Sequence, residues 1–269
     1  FFLFGLLALQ PLQGQLLSEA IPAVFAKEKT VSRLFAQRVM SRYRSHFVPA
    51  GTDVLDSGVT RHHYTYKGTE GSHPLLVLGQ SYRLELFTRN DTLFMTAIYQ
   101  NRKPDSLYRM LCERVYQLID TAQALQYIGQ HNRRFGAALT LMDLSQEPSL
   151  FRVYGAFCGF AGAPTPGAQA LAGLVENRDL PALLKLAASF FPVERAYGTA
   201  GLYLLHRGGT SLPEVAWSLI RLNRQSGMVI PSCDGCIYGD ASLRELLDEH
   251  PLRYLFLRFQ ASGLLQKNE

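Results

Sequence analysis

The chain has 269 residues, 47% of them hydrophobic and 18% charged, with a formal net charge of +5. A chain of this length and composition buries a full core, so disorder by composition is excluded. Its basic residues are mostly arginines scattered along the chain, with no Lys/Arg run, which argues against a dedicated nucleic-acid surface.

The segment Phe1 to Leu9 is almost unbroken apolar and is followed by Pro11 and Gly14. This reads as the apolar part of a secretory signal with a cleavage site near Gly14, so residues 1–15 are expected to be a signal peptide lacking its basic start. The rival reading is the end of an uncleaved anchor helix. Residues 16–103 are expected to form an N-terminal helix and a β-hairpin region. The helix lies between Ile21 and Phe47, where Val31, Leu34, Phe35, Val39, Tyr43 and Phe47 recur at three- and four-residue steps. Membrane contact is expected, if anywhere, through residues 1–47.

From Val48 to Gly79 glycines and prolines interrupt any period, so an irregular segment is expected, with a short strand at Val59 to Tyr66. His62, His63 and His73 lie here without carboxylate or cysteine at a ligand spacing, and read as loop histidines. After Ser81 the period becomes two: Leu84 and Leu86 alternate with Arg83 and Glu85, and Leu93, Met95 and Ala97 alternate with Phe94, Thr96 and Ile98. Asn90-Asp91 between these runs tolerates the positive φ of a tight turn, predicting a β-hairpin. Leu75 to Leu78 is a candidate third strand.

Residues 104–269 are expected to be helical. Leu107, Leu111, Val115, Leu118, Ala122, Leu125 and Ile128 predict a long helix opening at Pro104-Asp105 and ending near Gly129. Further helices are predicted near Asp179, Pro192 and Ser211; Asp179 and Ser211 are good N-cap types with a proline two positions on. Ser242 and Glu245 have capping-box spacing, and Trp217 is expected on a helix from Pro213 to Arg224. Three segments share the pattern Arg-x-aromatic-Gly-small: Arg133 to Ala137, Arg152 to Ala156, and Arg195 to Thr199. The last two fall within the period of roughly 40–47 residues of helix-pair repeats. Gly136, Gly155 and Gly198, with Tyr154 and Tyr197, are therefore candidate repeat-packing residues.

Of the four cysteines, Cys112 and Cys158 stand apart, whereas Cys233 and Cys236 enclose Asp234-Gly235 in a predicted tight loop. A structural disulfide between Cys233 and Cys236 is the preferred reading. A redox pair needs its first cysteine at a helix N-terminus, and a zinc site needs a second pair of ligands; both stay open as alternatives. No nucleophile elbow, phosphate-binding loop, dinucleotide fingerprint or His-Glu-x-x-His run is present, so no catalytic residue, metal or cofactor is assigned.

With its arginine–aromatic–glycine segments and closing Cys233-Asp234-Gly235-Cys236, the region from Arg133 onward resembles uncharacterised exported bacterial proteins. In those proteins HEAT-like helical repeats end in a Cys-x-Gly-Cys turn, and the resemblance implies helical stacking but no reaction. The expected fold is α+β, mainly α: an N-terminal helix, a small β-hairpin element and a HEAT-like stack of short helices. The expected function is that of a non-catalytic binding or scaffold protein, periplasmic or secreted, whose helical surface engages another protein or an envelope component. The alternative is an envelope thiol–disulfide or metal-dependent enzyme using Cys233 and Cys236.

Overall fold

A computed structural model describes residues 30, 47–56, 58–66, 81–102, 111–146, 153–158, 163–235 and 237–265. The expected signal segment, the candidate strand at 75–78, His73 and Cys236 lie outside these residues. So does the expected N-terminal helix, apart from Thr30, which forms an antiparallel bridge to Thr92, and Phe47, which opens a strand. The chain divides into two compact units, Phe1–Ala124 and Leu125–Glu269.

The first unit is built on a five-stranded antiparallel meander of β1 (Phe47–Asp56), β2 (Val59–Tyr66), β3 (Ser81–Arg89), β4 (Thr92–Arg102) and β5 (Leu111–Ile119), paired in sequence order. Asn90 and Asp91 turn β3 into β4 with φ of 46° and 65°, the left-handed geometry of a two-residue hairpin turn. At the same end Gly58, with φ of 76°, turns β1 into β2, and its carbonyl accepts from the Asn90 N–H at 2.8 Å. Leu84 and Leu86 are buried, and so are Glu85 and Phe87 on the opposite face of the same strand. The sheet is therefore covered on both sides.

This sheet overturns the expected fold in two places. The stretch read as irregular contains β1, and the helix expected from Pro104 is instead β5 over its central part. Leu111, Val115 and Leu118 suit a helical face, but Leu111 pairs with Arg102 and Leu118 with Thr96 of β4, and Val115 falls at a shift in the register between them. An unpaired β4 edge outweighs a short run of ambiguous period. Helix starts only after Asp120, whose carboxylate accepts from the Gln123 N–H at 3.2 Å. From there α1 (Thr121–Phe135) carries the chain into the second unit, past Gly129, where the helix was expected to stop.

The second unit continues with α2 (Leu141–Ser145), a short ladder of β6 (Phe157–Cys158) and β7 (Ala163–Pro164), and the helices α3 (Pro166–Glu176), α4 (Leu180–Ala187), α5 (Pro192–Arg207) and α6 (Glu214–Arg224). A second hairpin, β8 (Val229–Asp234) and β9 (Ile237–Ser242), precedes α7 (Leu243–Leu246) and α8 (Glu249–Ala261). Asp179 caps α4 through the Ala182 N–H at 3.1 Å, and Ser242 with Glu245 forms the expected capping box on α7. Ser211 caps nothing: α6 begins at Glu214, behind Pro213. Trp217 lies on α6, edge-on to His206 at 4.8 Å.

Helix α5 is the centre of this unit, buried almost from end to end, including Arg195, Tyr197 and Thr199. Asn223 of α6 ties it to α4, donating to the Ala187 carbonyl at 2.8 Å and to Thr199 Oγ1 at 2.9 Å. The three expected repeat segments occupy three different local structures. Gly136 ends α1 with φ of 61°, Gly155 lies in an extended stretch beside β8, and Gly198 is in mid-helix on α5. Strands interrupt the helices, and the three segments differ in local structure, so the described residues do not form the expected HEAT-like stack.

Gly198 nevertheless does what a packing glycine should. A Cβ there would stand 2.2 Å from the Ala187 backbone nitrogen and 2.6 Å from the Leu186 carbonyl carbon, so α4 and α5 meet backbone to backbone. Gly198→Leu is expected to cost about 1–3 kcal/mol by overpacking. Gly173, on α3, has nothing within 4 Å of its Cβ position. Gly173→Ala is expected to stabilise by about 0.5–1 kcal/mol through the unfolded chain. Urea melts of the two variants should move in opposite directions, and equal tolerance would remove the close-packing assignment.

Candidate functional site

Two places concentrate polar or exposed groups, one in each unit. In the first, Arg61 and His63 of β2 and Arg83 and Glu85 of β3 share one face of the sheet, His63 directly opposite Glu85. The Glu85 carboxylate is buried, with Arg61 Nη2 at 3.0 Å, Arg83 Nε at 2.9 Å and His63 Nδ1 at 3.6 Å. Arg83 also lies over the Tyr99 ring at 4.8 Å. Burial pushes the Glu85 pKa up, but Arg61, with His63 and Arg83, more than reverses this and holds it down at about 2. Sequence alternation read Glu85 and Arg83 only as the polar partners of Leu84 and Leu86. His62 and His63, read as loop histidines, are strand residues, and burial lowers the His62 pKa. The ion cluster holds the middle of a two-sided sheet together, and within it every charged group faces another protein group.

The second place is built around the cysteines. Cys233 of β8 is joined to Cys158 of β6, with Cα atoms 5.8 Å apart, a normal disulfide separation. The expected Cys233–Cys236 bridge is thereby excluded, since Cys233 makes only one such bond. What brings Cys158 there is strand pairing. Residues 153–158 run beside β8: the Tyr154 N–H donates to the Pro231 carbonyl at 2.9 Å, and the Cys233 N–H to the Tyr154 carbonyl at 2.8 Å. Gly155 permits the approach, because a Cβ there would lie 2.7 Å from Cys233 Sγ and closer still to the Cys233 carbonyl oxygen.

Tyr154 and Tyr197 meet at this point, ring centroids 5.0 Å apart. The Tyr197 hydroxyl accepts from the Gly155 N–H at 3.1 Å and lies 2.8 Å from the Gly155 carbonyl, which also accepts from Thr165 Oγ1 at 2.8 Å. Burial raises both phenol pKa values, in Tyr197 partly offset by Thr165 and Gly155, so both hydroxyls stay protonated. The segment from Arg133 to Ala137 joins in through Phe135, whose ring centroid lies 5.1 Å from the Arg195 guanidinium; Arg195 also donates to Met228 Sδ at 2.8 Å. The similar segments thus pack on one another as unlike pieces.

In front of the disulfide a groove of about 360 Å³ opens between the β8–β9 hairpin and α8. Phe157, Asp234, Ile237, Gly239, Tyr254 and Arg258 line it. Arg258 lies over the Phe157 ring at 4.8 Å, and its Nη1 donates to the Tyr254 hydroxyl at 3.0 Å. Ile237 is 76% exposed and its neighbour Tyr238 63% exposed. Neither was singled out from the sequence. The signal was present in Ile-Tyr placed directly after a predicted Asp-Gly turn, where polar residues are the rule.

Among the described residues no group of three or more His, Cys, Asp or Glu gathers as a metal site, and no helix is long and apolar enough to cross a membrane. Comparison with protein families, with curated proteins and with solved structures finds no match to this chain.

Proposed function

We propose that this chain is an exported, non-catalytic binding protein that engages another protein or an envelope component through the β8–β9 hairpin and the groove beside it. The observation that carries this reading is that Ile237 and Tyr254, both exposed, line one open groove, with the exposed Tyr238 next to Ile237 along the strand. Exposed apolar groups clustered at a concave site mark interaction surfaces more often than singly scattered ones do. The Cys158–Cys233 bond supports an oxidising compartment, periplasmic or extracellular. The surface differs from the helical-repeat face expected from the sequence, because that face does not form. An enzyme using Cys233 and Cys236 as its working pair is less favoured, since Cys233 is buried and bonded to Cys158.

The test is a photo-crosslinking residue placed at Ile237 and, as a control, at Met142, which is 69% exposed on α2. In cells making the protein, discrete adducts are expected from position 237 and none from 142. Equal labelling from both sites, or no adduct at all, would overturn the binding reading. Fractionation of the same cells tests export: recovery with cytoplasmic markers would overturn that part.

A further inference from the structure

The partner's chemistry can be read from the hydrogen-bonding direction of the hairpin. In an antiparallel pair, residues alternate between those that bond across the ladder and those whose N–H and C=O point away from it. The Cys233 N–H and the Pro231 carbonyl are directed to Tyr154, on the far side of β8 from β9. Their partners across the ladder, Tyr238 and Asp240, therefore stand at positions that do not bond to β8. Their own N–H and C=O groups point outward from β9. Among the described residues this strand is the last of its sheet and pairs with β8 alone. It has no proline, no lysine and no bulge in its register, and Asp240 is its one charged residue.

We propose that the outer edge of β9 binds an extended segment of a partner protein as an added antiparallel strand, with an apolar side chain in the groove and a basic one beside Asp240. This rests on the binding reading above and names its partner class. The backbone groups of Tyr238 and Asp240 supply four hydrogen bonds to any extended chain, the sequence-independent part of strand addition. Side chains supply the preference. Opposite Gly239 the incoming side chain points to the groove face, which Gly239 shares with Ile237 and Asp234, and nothing lies within 4 Å of the Gly239 Cβ position. A large apolar residue fits there, bounded by Ile237 and Tyr254. Opposite Asp240, which also borders the groove, a lysine or arginine makes a cross-strand pair of opposite charge. Asp234 at the hairpin tip adds a second carboxylate beside the groove.

The probe is the labelled octapeptide Lys-Thr-Val-Lys-Phe-Thr-Val-Lys, acetylated and amidated, titrated against the full chain by fluorescence anisotropy. Antiparallel addition puts its Phe opposite Gly239, its central Lys opposite Asp240 and the second Thr opposite Tyr238. Saturable binding is expected. N-methylation of the central Lys or of the second Thr removes a bond to the edge and should weaken it about tenfold. N-methylation of the Phe, whose N–H points away from β9, should leave it unchanged. Tyr238→Pro removes the outward N–H together with the exposed ring and should also weaken it about tenfold, with the Cys158–Cys233 bond and thermal melt checked for intact folding. Asp240→Lys should reverse the preference between this peptide and one with Glu at the central position, and this needs no proline variant to fold.

No saturable binding, or equal loss from N-methylation at all three positions, overturns the proposal. Dimerisation of the unliganded chain that Tyr238→Pro abolishes also overturns it, by naming a second copy as the occupant. Adducts from position 237 together with a silent peptide would leave the binding reading standing and remove the added strand.

Discussion

Glu85→Gln is expected to destabilise the first unit by about 3 kcal/mol at neutral pH. The glutamine keeps the volume but leaves Arg61 and Arg83 buried beside a neutral amide, and breaking one side of a buried ion pair costs about 3–5 kcal/mol. The same carboxylate makes stability depend on acid. Its folded pKa of about 2 lies below the ordinary value of 4.5, because Arg61, His63 and Arg83 overcome the opposing effect of burial. A depressed folded pKa contributes stability that is complete above about pH 4.5 and is lost as pH falls through about 2. The size of that contribution is on the order of 3 kcal/mol. Urea melts of wild type at pH 7, 4 and 2.5 should therefore show a decline that Glu85→Gln lacks. A variant within about 1 kcal/mol of wild type at pH 7, with the same acid profile, would show that the cluster contributes nothing net.

What could be read from the sequence divides according to how local the information was. The β3–β4 hairpin was legible because alternation and Asn90-Asp91 agree, and the turn has the left-handed φ values those residues tolerate. The strand at Val59 to Tyr66 and the capped start of α4 at Asp179 were legible for the same reason. The region from Leu111 to Ile119 was not. Its apolar spacing fits either period over so few residues, and what decides it is the waiting edge of β4.

The site was misread in the same way. Cys236 was preferred as the partner of Cys233 because it is near in sequence, whereas the bond reaches back 75 residues to Cys158. Only the ladder between residues 153–158 and β8 brings the two together, and no local pattern announces that pairing. Tyr154, Tyr197, Gly155 and Gly198, expected as repeat-packing residues, stand at close approaches between unlike elements, whereas Gly136 does not. Their similarity reflects a shared need for close approach rather than a repeated unit.

Removing the Cys158–Cys233 bond is expected to be the most damaging change in the second unit. A disulfide acts mainly on the unfolded chain, and its effect grows with the loop it closes. At a separation of 75 residues the loop-entropy contribution is about 4 kcal/mol, against a much smaller gain had Cys233 closed a loop with Cys236. The bond also holds the Tyr154 to Cys158 stretch against β8, where Gly155 already sits in backbone contact with Cys233. Phe157 and Cys233 both line the groove, so its wall loosens when the bond is lost. Replacing Cys158 and Cys233 together by serine should lower the urea midpoint in proportion to ~4 kcal/mol and weaken octapeptide binding, while wild type under dithiothreitol should behave alike. Non-reducing peptide mapping after alkylation should recover one cross-linked product containing Cys158 and Cys233. A product linking Cys233 to Cys236, or a double variant within about 1 kcal/mol of wild type, would contradict this assignment and reopen the short cysteine pair as the working unit of the hairpin.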